Sequence, residues 1–153
     1  MKTLILEGNY ITDRGAMTLF RGLQGGSNTL ETLVLSQNVI GNRGAKMISD
    51  FLKESSALLT LDLSWNQIVE EGCSNIFDGM TTNQVLEQLN LSQNRIGHEG
   101  GVSLSNMLKV NKSLKKLSVS SCHIPESCGG MLADSIFVNA SIVELDLSWN
   151  LLG

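Results

Sequence analysis

Two stretches of this chain are identical, Leu61-Asp62-Leu63-Ser64-Trp65-Asn66 and Leu145-Asp146-Leu147-Ser148-Trp149-Asn150, and they lie 84 residues apart. Each sets a tryptophan three residues after an aspartate. A carboxylate and an indole at one patch suit the guanidinium or ammonium of a partner protein, the acid through a charged hydrogen bond and the ring through its negative face. Covalent chemistry finds less support. His98, His123, Cys122 and Cys128 are soft metal ligands, but no zinc-binding spacing joins them. The chain carries no nucleophile elbow, phosphate loop or catalytic carboxylate pair, so neither catalysis nor a metal nor a cofactor is expected.

What must position these residues is a repeat. The pattern Leu-x-x-Leu-x-Leu-x-x-Asn-x-Ile runs from Leu30 to Ile40, from Leu58 to Ile68 and from Leu86 to Ile96, with looser copies over 1–11, 114–124 and 142–152. Its Asn position falls at 9, 38, 66, 94, 122 and 150, one step of 29 and four of 28. A fixed period of this length builds stacked units held together by contacts between neighbours. The Leu-x-Leu pair alternates with period 2, the mark of a short strand with both leucines inward. Six residues after the Asn a glycine recurs at Gly15, Gly44, Gly72 and Gly100, with Cys128 the exception, and a helix follows. Ala45, Ile48, Phe51 and Leu52 form one apolar helix face, Cys73, Ile76, Phe77 and Met80 the next, and Gly101, Leu104, Met107 and Leu108 the third. Paired strands lie about 4.8 Å apart and packed helices about 8 to 10 Å, so the stack must curve with its strands inside.

The recurring Asn is read as structural, a buried carboxamide that feeds the backbone of the turn after each strand. Cys122 stands in its place in the fifth unit and donates weakly, and Pro125 follows, so that turn is expected to be held least. Gly25-Gly26 carries the extra residue of the longer step and is assigned to a return loop.

Outward strand positions stack on their equivalents and form columns on the inner face. One column reads Ile5, Val34, Asp62, Asn90, Ser118, Asp146; the next reads Glu7, Ser36, Ser64, Ser92, Ser120, Ser148. A third, just before the Asn, reads Gly8, Gln37, Trp65, Gln93, Ser121, Trp149, and a fourth, at the strand start, reads Thr3, Thr32, Thr60, Gln88, Lys116, Glu144. Small hydroxyls let a partner approach closely and offer adaptable hydrogen bonds, while exposed tryptophans anchor interfaces. A partner protein is therefore expected on the concave face at Asp62, Ser64, Trp65, Asn90, Ser92, Lys116, Asp146, Ser148 and Trp149.

A unit of this length holding LxxLxLxxNxIxxxGA and a full helix resembles the ribonuclease-inhibitor-type leucine-rich repeat family, over essentially the whole chain. The stretch GAKMISDFLKESSALLTLDLSWNQI is most similar to small cytosolic members of that family. The resemblance implies an α/β fold, a curved leucine-rich repeat solenoid. Its horseshoe arc would hold about five and a half repeats, with parallel strands on the concave face and helices on the convex face. It also implies a non-catalytic scaffold for protein–protein interaction. The alternatives it brings are a regulator of an enzyme, by ribonuclease inhibition or small-GTPase activation, and a structural spacer in a larger sensor or ciliary assembly. The motif is specific for fold and poorly specific for function.

Eleven Lys and Arg against 15 Asp and Glu leave a net charge of −4, which disfavours nucleic acid and anionic membrane as partners. No stretch reaches the roughly 20 apolar residues of a membrane helix, and the apolar run at the start is too short for a signal peptide. Cys73, Cys122 and Cys128 are an odd count and read as reduced thiols of a cytoplasmic protein. Asn90-Leu-Ser, Asn111-Lys-Ser and Asn139-Ala-Ser match the glycosylation pattern and are expected to go unused. Residues 1–153 form a single array, expected to be a segment of a longer one that lacks both caps, and the isolated chain is expected to self-associate through its apolar ends.

Overall fold

The computed structural model describes residues 1–24 and 29–153. Strands and helices alternate along it: β1 (Thr3–Ile5), α1 (Asp13–Gln24), β2 (Thr32–Val34), α2 (Asn42–Glu54), β3 (Thr60–Asp62), α3 (Glu70–Thr82), β4 (Gln88–Asn90), α4 (Gly97–Val110), β5 (Lys116–Ser118), a single 3₁₀ turn (Glu126–Cys128), α5 (Gly129–Val138) and β6 (Glu144–Asp146). The six strands make one parallel sheet in sequence order, and the register repeats, with Leu4, Leu33, Leu61, Leu89, Leu117 and Leu145 as successive partners. The expected α/β solenoid is what forms. Gly25 and Gly26 lie outside the described residues.

The inward residues enter one continuous ribbon of core. Leu33, Leu35, Leu61, Leu63, Leu89 and Leu91 meet Ile48, Leu52, Ile76, Phe77, Leu104 and Met107, and every one of them is buried. These are the residues that the two periodicities, 2 and 3.6, place inward. Among the described residues helices pack only on consecutive helices, so stability is a sum of neighbour terms.

Polar side chains carry the register from unit to unit. Asn38 accepts from the Ile11 N–H (3.0 Å) and donates to the Leu6 (3.0 Å) and Leu35 (3.1 Å) carbonyls. Asn66 and Asn94 repeat the arrangement, accepting from the Ile40 and Ile68 N–H groups and donating to the Leu35 and Leu63 carbonyls of the unit before. A second ladder occupies the return loops. Asn83 donates to the Leu52 carbonyl (2.7 Å), Asn111 to those of Met80 and Asn83 (2.8 Å each), and Asn139 to that of Leu108 (2.8 Å). Their Oδ1 atoms accept from the N–H groups of Leu86, Leu114 and Ile142, which lead into the next strands. The glycosylation-like triplets at Asn111 and Asn139 belong to this ladder, and their serines join it, Ser113 donating to the Leu86 carbonyl (2.9 Å) and Ser141 to that of Asn111 (3.2 Å). Helices α2 and α3 are capped from outside as well. Asp13 accepts from the N–H groups of Gly41 (2.7 Å) and Gly44 (2.9 Å), and Asn42 from those of Val69 (3.0 Å) and Gly72 (3.2 Å).

The fifth unit solves the same problem differently. The Cys122 Sγ keeps the donor half of the Asn role, toward the carbonyls of Leu91 (3.3 Å) and Ser120 (3.4 Å). A thiol is a poor acceptor, and the Ile96 N–H turns instead to the backbone carbonyl of Cys122 (2.9 Å), joined by the Gly97 N–H (3.3 Å). Elsewhere the backbone rung runs the other way, as from the Gln67 N–H to the Ile40 carbonyl and from Arg95 to Ile68. At the reversed rung His123 stands at φ 55° and Gly97 at φ 60°, a left-handed backbone open to glycine and strained for histidine. The turn expected to be held least is thus secured by backbone of opposite polarity. Cys128 at the repeat's glycine position is matched by Gly101, where a Cβ would stand 2.6 Å from the Cys128 Sγ. All three thiols are free and buried; burial pushes Cys122 up to about 11 and raises Cys73 and Cys128 as well.

Three outcomes follow. Asn94→Ala leaves the buried Ile68 N–H without its partner and takes one of two donors from each of the Leu63 and Leu91 carbonyls, which keep Asn66 and the Cys122 thiol, and lowers stability by about 1 to 3 kcal/mol in chemical denaturation. Asn9→Ala, at an exposed turn, changes it by less than about 0.5 kcal/mol. In thiol titration at about pH 8 the native protein leaves all three cysteines unmodified and denaturant releases them together; rapid labelling of the native chain would contradict their burial.

Candidate concave-face interface

Where each strand ends, the residue before the Asn position enters left-handed backbone: Gly8 (φ 68°), Gln37 (55°), Trp65 (55°), Gln93 (61°), Ser121 (54°) and Trp149 (57°). This conformation carries its N–H to the serine-column carbonyl of the next unit, as from Trp65 to Ser92 (2.9 Å) and from Gln93 to Ser120 (3.0 Å), while the following side chain turns inward. Glycine is the relaxed occupant, and a residue with a Cβ is strained there by about 1 kcal/mol. Tryptophan nonetheless occupies two of these positions. Trp65 is 59% exposed and Trp149 85%, so burial within the chain accounts for neither. Bulky residues held in sparsely populated backbone are a reason to look for function.

The neighbouring columns are tied together by hydrogen bonds. Asp62 Oδ1 accepts from the Ser64 N–H (2.9 Å) and hydroxyl (2.7 Å), and among the described residues its Oδ2 receives only a 3.3 Å bond from Asn90. Asp146 is built alike, with Oδ1 accepting from the Ser148 N–H (3.0 Å) and Oδ2 from the Ser118 hydroxyl (3.3 Å). The hydroxyl and N–H of Ser148, with Ser118, hold the Asp146 carboxyl below the usual carboxylate range. Between the two aspartates Asn90 accepts from the Ser92 N–H (3.1 Å), and the Ser92 hydroxyl meets that of Ser118 (2.7 Å). Lys116 pairs with Glu144 at 2.8 Å. Asp62, Asn90, Lys116, Ser118 and Asp146 line one shallow recess of about 260 Å³.

Asp62, Asn90, Lys116 and Asp146 of the expected interface therefore share a recess, and Trp65 and Trp149 stand outside it, beyond the serine column. The serine row differs from the free, adaptable hydroxyls expected of it. Ser64 is only 6% exposed and bound to Asp62, Ser92 to Ser118, and Ser148 to Ser120 (2.8 Å). Thr60, Gln88 and Glu144 also line the recess, and the strand-start column that contains Lys116 was the signal for them. Of the soft ligands, His98 opens α4 and its Nδ1 lies 3.0 Å from the Ser127 hydroxyl and 3.7 Å from the Cys128 Sγ. Cys122 is engaged with carbonyls and His123 is exposed; among the described residues no three metal-ligating side chains gather. Among the described residues no helix is long and apolar enough to cross a membrane.

Known proteins place this architecture. No curated protein matches the chain at a significant level. The leiomodin-1 actin-binding site 2 structure superposes with a TM-score of 0.76 at 20% identity, over 90% of this chain and 80% of that one. The tropomodulin C-terminal domain of Caenorhabditis elegans gives a TM-score of 0.74 at 12% identity, over 90% of this chain and 83% of that one. At those identities the likeness speaks for the fold alone. The family model described as Leucine Rich repeat matches residues 1–20, 26–49, 55–77, 82–105 and 110–124, most of the length, and this chain belongs to the leucine-rich repeat family.

Proposed function

We propose that this chain is a non-catalytic scaffold of the ribonuclease-inhibitor type that works in the cytoplasm and binds another protein on its concave strand face. The contact residues are Asp62, Ser64, Trp65, Asn90, Ser92, Lys116, Asp146, Ser148 and Trp149. One observation carries the reading: two exposed tryptophans sit in a left-handed column where glycine would be relaxed. Exposed indoles offer large rigid contact area, and a floor already cross-linked by hydrogen bonds loses little freedom when a partner docks. The net charge of −4 favours a protein over nucleic acid or an anionic membrane. The similar leiomodin-1 domain is an actin-binding site, which makes actin one protein to test directly by co-sedimentation.

The discriminating variant is Trp65→Gly with Trp149→Gly. Gly8 occupies the same column at φ 68°, so the double variant should fold with an unchanged or slightly raised melting temperature. It should also lose a partner that the parent chain recovers from cell lysate. Equal recovery by both would overturn the concave-face reading and favour a spacer role or a helical docking surface.

A further inference from the structure

We infer that the occupant of the recess is an extended basic segment lying across the strands, whose arginine or lysine side chains four residues apart reach Asp62 and Asp146. This rests on the concave-face reading and adds to it the chemistry of the partner. Charge points the same way. In the four outward columns Glu7, Asp62, Glu144 and Asp146 stand against one cation, Lys116, and four acids less one base leave three negative charges of the chain's net −4. That cation is already paired with Glu144. Among the described residues each aspartate has one oxygen held by its own turn and the other carrying a single 3.3 Å bond, which leaves acceptor capacity for a charged donor.

Spacing selects the conformation of the segment. Asp62 lies on β3 and Asp146 on β6, three strand steps apart, which at about 4.8 Å per step is about 14 Å. An extended chain advances about 3.4 Å per residue and presents residues i and i+4 on one face, about 14 Å apart. An α-helix needs roughly nine residues for that distance, which turns the two side chains to opposite sides. Asn90 and Ser118 floor the space between, small enough for residue i+2 to sit above them. Trp65 and Trp149 repeat the same spacing beyond the serine column, where an exposed indole can take the alkyl stem of a neighbouring side chain of the segment.

Calorimetric titration with capped peptides rich in threonine and serine tests this. A peptide with two arginines separated by three residues should bind the parent chain, and one with two residues between them should bind at least about tenfold more weakly. Asp62→Asn and Asp146→Asn keep shape and fold, checked by circular dichroism, and each should weaken the first peptide by about tenfold. Equal binding of the two peptides, no binding of either, or indifference to both substitutions would overturn the inference. If both asparagine variants still recover a lysate partner that the double Trp→Gly variant loses, the basic-segment inference falls while the concave-face reading stands.

Discussion

Asn38, Asn66 and Asn94 each bind a carbonyl and an N–H of the unit before their own, and they do so at turns where water has little access. A backbone group left unpaired in such a place costs several times what an ordinary hydrogen bond contributes, so the position of this carboxamide admits little slack. Everything downstream inherits that constraint. For the amide to turn inward, the residue before it takes left-handed backbone and its own side chain faces out. The column holding Trp65 and Trp149 is thus a geometric product of the ladder behind it. Its spacing is that of the strands, and its orientation is that of the turn.

Unit five shows what the constraint is and what it is not. Asparagine itself is dispensable, because Cys122 retains the donor contacts while its backbone carbonyl takes over as acceptor. What cannot be dispensed with is a partner for the Ile96 N–H. The substitution reaches into the unit before, at Gly97, and into its own turn, at His123, since reversing the rung moves both into left-handed backbone. The exchange of Gly101 against Cys128 is a second pairing of the same kind, volume removed from one unit and added to the next. In a stack of neighbour interfaces a departure is absorbed locally and the register of β5 and β6 is kept.

Much of this fold could be read from residue spacing, because burial enforces both periods: the strand leucines at every second position, and Ile48, Phe51 and Leu52 at helical intervals. Less visible was the second ladder. Asn111 and Asn139 fit a surface modification pattern, and only the positions of the Met80 and Leu108 carbonyls give their amides another task. The caps from Asp13 and Asn42 were hidden for a similar reason, since a capping side chain is sought next to its own helix and these come from the preceding unit. At the candidate interface the columns were legible, but the engagement of Ser64, Ser92 and Ser148 was not, because a hydroxyl's partner depends on distances that a sequence does not contain. Gly8 was the one hint that the tryptophan column is left-handed. The identity of a partner lies further off, because the repeat motif specifies a scaffold and leaves its outward residues free to vary.

The central claim is that binding takes place on the inner strand face, and amide hydrogen exchange of the chain alone and in complex with its recovered protein partner tests it most directly. The account predicts slowed exchange over residues 60–66 and 144–150 with the helices unchanged. Protection confined to α1–α5, with both tryptophan turns exchanging as in the free chain, would contradict it.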